Sequence, residues 1–141
     1  MTEDTMTVLV TDQGFGPEDW LRGYAPLAAM SNAPEGSGVD LANPALSARD
    51  KARLFHLMPE CGLIRIRLRD FGDLAAFDLA RDLRDGGFQG RLRAHGAVLA
   101  RAYTLLRRAG FDEVELDPHQ ARRQPEEHWR NEAGWHPLRR A

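Results

Sequence analysis

From Ile64 to Arg69 apolar and basic residues alternate without a break: Ile64, Ile66 and Leu68 against Arg65, Arg67 and Arg69. A period of two is the signature of a β-strand, whose successive side chains point to opposite faces. The pattern recurs in two later segments. Leu92 and Ala94 oppose Arg91, Arg93 and His95, and Val114 and Leu116 oppose Glu113 and Glu115. Three consecutive strands therefore share one apolar and one ionic face. Parallel strands covered by helices on both faces are almost continuously apolar. Helices are thus expected mainly on one face of this sheet, which argues against a doubly wound nucleotide fold.

The segments between these strands read as helices. Pro44 and Ser47 open one, with Leu54, Leu57 and Met58 at i, i+3, i+4 spacing. Asp73 stands at the cap of a second that runs to about Asp85, stopped by Gly86 and Gly87. Gly96 leads into a third that runs through Ala109, with Gly110 at its end. After each of the last two, a glycine stop is followed by a phenylalanine, Phe88 or Phe111, placed to plug the helix–strand joint. Short strands are also expected at Thr7–Thr11 and Val39–Leu41. Alternating strands and helices imply βαβ crossovers and parallel pairing. The expected fold is α/β: a small, mainly parallel sheet of four to five strands, as two layers or an incomplete barrel. One domain, 1–141, is expected. It divides into an irregular N-terminal segment (1–38), a βαβ core (39–116) and a helical C-terminal tail (117–141), where Pro125, Glu126 and Glu127 make a first turn.

Three readings of the ionic face are open. It is a solvated ladder of arginine–glutamate pairs, it lies against another chain or the N-terminal segment, or it is an anion site. Arginine forks match the oxygens of sulfate, sulfite, phosphate or carboxylates. In parallel α/β folds ligands gather at the carboxyl ends of the strands. That places Arg69, Asp73, His95 and Gly96 together with Arg65, Arg67 and Arg93 as binding candidates. Backbone amides after Gly96 would meet an anion at a helix start. The plain alternatives are a strand–helix junction at Gly96 and a helix cap at Asp73. An apolar rim beside the arginines would favour a protein partner; a convergent pocket at the strand ends would favour an anion.

Other chemistry is sparse. The net charge of −2 lacks the electrostatic footprint of a nucleic-acid binder. A single cysteine, Cys61, excludes an internal disulfide or a thiolate cluster and reads as a buried or incidental thiol. Glycines 86, 87 and 90 close a helix instead of opening one, so no dinucleotide fingerprint or P-loop is present. His119, His128 and His136 match no usual metal-ligand spacing. Trp129 and Trp135 read as clamps on the tail, and Arg122, Arg123, Arg139 and Arg140 as its solvated charges. No cofactor and no metal is expected. No apolar run is long enough to span a bilayer and the acidic start at Glu3 and Asp4 is no secretory signal, so the cytoplasm is the expected location.

Five phrases then carry a resemblance: Ile64-Arg65-Ile66-Arg67; Phe77-x-Leu79-Ala80-Arg81-x-Leu83-Arg84; Gly90-Arg91-Leu92-Arg93-Ala94; Arg107-Arg108-x-Gly110-Phe111-Asp112-Glu113-Val114-Glu115; and Arg123-Gln124-Pro125-Glu126-Glu127-x-Trp129. In that order and spacing, over about half the chain, the sequence resembles the bacterial family of unknown function numbered 934, whose members are commonly labelled oxidoreductases of sulfite reduction. The chain departs from the family's wording at Leu74 and Ala75, where Gly and Arg are usual, and at Arg101 and Ala102, where Asp and Gln are usual. The resemblance implies an accessory protein of assimilatory sulfite reduction that binds a partner or an oxyanion. The alternatives are an oxidoreductase component using a borrowed redox centre, or a plain protein-interaction module. Sulfite reductase or a second copy of the chain is the implied partner, with neither nucleic acid nor membrane.

Overall fold

In a computed structural model, which describes residues 6–133, seven strands form one mixed sheet. They are β1 (Val8–Thr11), β2 (Gly14–Pro17), β3 (Tyr24–Pro26), β4 (Gly38–Leu41), β5 (Leu63–Leu68), β6 (Arg91–Gly96) and β7 (Glu113–Leu116), in the order β2-β1-β7-β6-β5-β4-β3. The run from β3 to β7 is parallel, and the β1–β2 hairpin joins it antiparallel, Val10 opposite Val114. The helices are α1 (Ala48–Leu57), α2 (Leu74–Asp85), α3 (Tyr103–Ala109), α4 (Pro118–Arg123) and α5 (Glu126–Ala133).

The parallel α/β plan is as read from the alternation, but the sheet has seven strands where four to five are expected. The two extra strands, Gly14–Pro17 and Tyr24–Pro26, follow the expected one at Val8–Thr11, so residues 8–26 are largely ordered into the sheet instead of irregular. Gly14–Pro17 and Tyr24–Pro26 carry no alternation of their own; they are strands because β1 and β4 offer them hydrogen-bonding edges. The residues Trp135, His136, Arg139 and Arg140, and the acidic start, lie outside the described residues.

Register explains the core. Val39, Ile64 and Leu92 are adjacent across three strands, as are Leu41, Ile66 and Ala94, with Val114 beside Ala94. These residues form a continuous cluster with Leu54 of α1, Phe77, Leu79 and Leu83 of α2, Leu106 of α3 and Trp129 of α5. Leu9 and Leu63, which are buried but belong to the opposite face, stand outside that cluster. The helices thus pack on the apolar face, making two layers. Phe88 and Phe111 fill the helix–strand joints as read. Trp129 is fully buried, edge-on to Tyr103 at 5.9 Å between centroids, and its indole N–H donates to Gln124 O at 3.0 Å.

The opposite face is crossed by the chain itself. Between β2 and β3, which are the two edges of the sheet, residues 18–23 form a strap. A flat seven-stranded sheet would set those edges about 29 Å apart, six spacings of roughly 4.8 Å. Seven residue steps from Pro17 to Tyr24 reach at most about 25 Å. The sheet must therefore curl, concave toward the strap, which is its chord. This curl belongs to the incomplete-barrel alternative, and it makes the ionic face a trough.

Candidate functional site

Under the strap the charges are densely paired. Arg93 is fully buried; its guanidinium donates to Glu113 at 2.7 Å, Glu18 at 2.6 Å, Glu115 at 2.9 Å and the Tyr24 hydroxyl at 3.0 Å. Arg65 reaches Asp40 and Glu115, both at 3.0 Å, and lies 3.8 Å over the Tyr24 ring. Arg91 joins Glu113 at 2.9 Å to Asp19 at 2.6 Å. Burial opposes ionisation of Glu18, but the Arg93 hydrogen bond and charge and the Trp20 backbone amide together outweigh it and hold the carboxyl below its ordinary value. Burial pushes the Tyr24 phenol up to about 12. The face is therefore neither a solvated ladder nor an open docking surface. The N-terminal segment covers it, and Arg65 and Arg93 are spent on internal carboxylates.

The strap crosses near the beginnings of the parallel strands, where Trp20 packs against Gly38 and Gly62. The carboxyl ends remain open. There, a cavity of about 350 Å³ is lined by Thr7, Arg67, His95, Gly96, Glu115, Asp117 and Gln120. Arg67 is exposed and, among the described residues, takes part in no ion pair. His95 opposes it in register on β6. Its Nε2 is buried without a hydrogen-bond partner, 3.8 Å from Asp40 Oδ1. Burial, then the positive charge of Arg65, holds the imidazole below its ordinary value of 6.5, so it is neutral at pH 7. Glu115 and Asp40 pull the other way and do not offset this.

Gly96 shapes the wall. Its φ is +91°, and a Cβ there would meet Leu68 O at 2.6 Å and Arg67 Cγ at 2.9 Å. Gln120 bolts α4 onto this turn: its Nε2 donates to Gly96 O at 2.6 Å, while Asp117 caps the helix through Gln120 N at 2.8 Å. The amides after Gly96 do not form a helix start. Ala97 N donates to Leu68 O at 3.0 Å and Val98 N to Gly96 O at 2.9 Å, and the α-helix begins only at Tyr103 after a 3-10 turn. The expected anion site on those amides is replaced by backbone pairing.

The seven candidates thus separate. Arg67, His95 and Gly96 converge on the cavity, while Arg65 and Arg93 form the buried floor of the trough. Arg69 and Asp73 make their own bidentate pair, both oxygens at 2.8 Å, and Arg69 N also donates to the carboxylate at 2.9 Å. Asp73 does sit at the N-cap of α2, but its carboxylate is turned to Arg69, whose hydrogen bond brings its pKa down to about 2. Cys61 is half-buried with its thiol on Leu57 O at 3.3 Å, and burial raises its pKa. That environment is inert. Sequence reasoning missed Thr7, Asp117 and Gln120, the strap residues Glu18 and Asp19, and Tyr24 at the start of β3. One signal was available: five arginines on the ionic face (65, 67, 69, 91 and 93) meet only Glu113 and Glu115 from the same three strands. The missing acids had to come from elsewhere.

A curled, largely parallel α/β sheet with helices on its apolar face and an open polar pocket at its strand ends defines a small α/β domain. The chain belongs to the family described as bacterial protein of unknown function (DUF934), whose model matches residues 44–133. No curated protein and no solved structure matches it. Among the described residues no helix is long and apolar enough to cross a membrane.

Proposed function

We propose that this chain is an oxyanion-binding accessory protein, working in the cytoplasm in sulfite reduction as the family resemblance implies, with sulfite reductase as its partner. The observation that carries the binding reading is the pairing of Arg67, a guanidinium without an internal carboxylate, with neutral His95 in a cavity at the strand ends. A guanidinium fork holds an oxyanion through two parallel hydrogen bonds, and neutral imidazole adds a donor or acceptor without adding charge. The arginines that the alternation groups together are not equivalent here: the binding role falls to Arg67 and not to Arg65 or Arg93.

A second reading, a protein-docking module, is supported by Phe71 and Leu74. They are 58% and 73% exposed beside the Arg69–Asp73 pair. One experiment separates the two. Sulfite, sulfate or purified sulfite reductase is added to the wild type and to Arg67→Gln, and binding is followed by calorimetry and thermal denaturation. Anion binding by the wild type, weakened about 10- to 100-fold in the variant, supports the oxyanion reading. Binding of the reductase alone, unchanged by the variant, sinks it in favour of the docking module.

A further inference from the structure

The walls of the same cavity restrict the charge of what it can hold, an argument that rests on the oxyanion reading above. Arg67 is the one lining residue that brings an available positive charge. Glu115 also lines the cavity, but its oxygens already accept from Arg65 at 3.0 and 3.2 Å and from Arg93 at 2.9 Å. Its charge is compensated by those two guanidinium groups. Asp117 differs. Its Oδ1 takes the Gln120 amide at 2.8 Å, and no cation pairs with the carboxylate among the described residues. It stands exposed at the rim as a negative charge and a hydrogen-bond acceptor. His95 lines the cavity as well, but its Nε2 is buried and lies 3.8 Å from Asp40. Asp40, Arg65, Arg67 and Glu115 surround it, and its Nε2 is without a partner.

One cation facing one unpaired carboxylate can compensate a single charge on a ligand, not two. A second negative charge would meet Asp117 without a counter-ion, and like charges at close range oppose binding. An acid hydroxyl on the ligand would instead be useful, since the Asp117 carboxylate accepts hydrogen bonds and charge-assisted ones are the stronger class. We infer that this site takes a small oxyanion bearing one negative charge and a hydroxyl of its own, in preference to a bare dianion. The hydrogen-oxyanion class, of which hydrogencarbonate and hydrogen sulfite are members, meets both requirements. Arg67 takes the charged oxygens and Asp117 takes the hydroxyl proton in a hydrogen bond, with no proton transferred.

Three probes distinguish charge from hydroxyl: hydrogencarbonate (one charge, one hydroxyl), formate (one charge, none) and sulfate (two charges, none). Each is titrated calorimetrically into the wild type, Arg67→Gln and Asp117→Asn at mildly alkaline pH. Asparagine caps a helix about as well as aspartate, so α4 is preserved in the last variant. The wild type is expected to bind hydrogencarbonate about tenfold more tightly than formate or sulfate, the worth of one charge-assisted hydrogen bond. In Asp117→Asn sulfate should tighten and the preference should narrow. Sulfate binding at least as tightly as hydrogencarbonate in the wild type, with Arg67→Gln weakening both, overturns this inference while the oxyanion reading stands. Equal, negligible binding of all three by the wild type and Arg67→Gln would overturn the oxyanion reading and the inference with it.

Discussion

Two arginines on the same face, Arg67 and Arg93, illustrate how little a residue type fixes its role. Alternation places both on the ionic side of adjacent strands, and nothing in the sequence ranks them. The structure separates them by burial: Arg93 is fully enclosed by three glutamates and Tyr24, while Arg67 reaches solvent at the cavity. Their substitutions should diverge accordingly. Arg93→Met strands Glu113 and Glu115 without their shared cation, and breaking a buried ion pair from one side costs about 3–5 kcal/mol. That is a large part of an ordinary domain's stability of about 5–15 kcal/mol. Arg67→Gln removes no internal partner and should stay within about 0.5 kcal/mol of the wild type. Urea denaturation of the two variants checks this. A midpoint for Arg93→Met close to that of the wild type would mean the glutamates relax into solvent and the trough is looser than its geometry indicates.

At the level of elements, the strap is the feature that most alters the molecule and the one the sequence hid best. Its length is the constraint, because a chord of six residues joins the two edges of a seven-stranded sheet. Leu21 tests it well, since its side chain is 88% exposed and contributes no packing. Deleting Leu21 should cost on the order of 2–4 kcal/mol by pulling apart Glu18–Arg93 or the Tyr24 pairing. Inserting one glycine at the same place should cost only a few tenths, the price of slight extra loop entropy. Thermal denaturation of the pair reads the asymmetry; equal losses would show that the strap is slack. The helices α1, α2 and α5, by contrast, were legible, while the third begins at Tyr103 and not after Gly96. Ser47 caps α1 through Asp50 N at 3.1 Å, and Glu126 and Glu127 open α5, as their local chemistry dictates. So was the two-faced sheet, because period-two alternation reports directly on burial. The strands Gly14–Pro17 and Tyr24–Pro26 were not, since they are three or four residues long and held by pairing instead of propensity. The candidate site was half legible. Arg67, His95 and Gly96 follow from the strand-end rule, whereas Thr7, Asp117 and Gln120 arrive from the antiparallel hairpin and α4, whose placement no local pattern encodes.

For the whole molecule, the shifted groups combine into one pH profile whose sign can be worked out. His95 is held below its ordinary 6.5 by burial and Arg65. The unfolded chain therefore binds a proton that the folded chain refuses, and stability falls as pH drops through this range. Asp12 and Glu18 are also lowered, burial being outweighed by Arg107 and Tyr103 for the first and by Arg93 for the second. Asp73, bonded to Arg69, is lowered to about 2. Depressed carboxylates contribute stability above their ordinary values of 3.8 and 4.5, which is lost as pH falls through their folded values. These four groups act in the same direction, and so does Glu126, lowered by the Phe15 amide and Arg130. On the alkaline side the signs reverse: burial raises Tyr24 to about 12 and, with the Asp12 hydrogen bond, raises Tyr103 further. A raised phenol contributes stability that is lost as pH climbs from its ordinary 10 through its folded value. Cys61, raised from 9.0 by burial, acts in the same direction, so the melting temperature should be flat between about pH 7 and 8.5 and fall on both sides, in a shallow step below pH 6.5 and a steeper one below pH 4. His95→Asn removes the titrating group and should erase the shallow step alone, leaving the carboxylate step in place. A wild-type curve with no loss between pH 7 and 5 would mean that His95 is free to take its proton in the folded trough. The neutral imidazole on which the cavity's charge balance depends would then be lost.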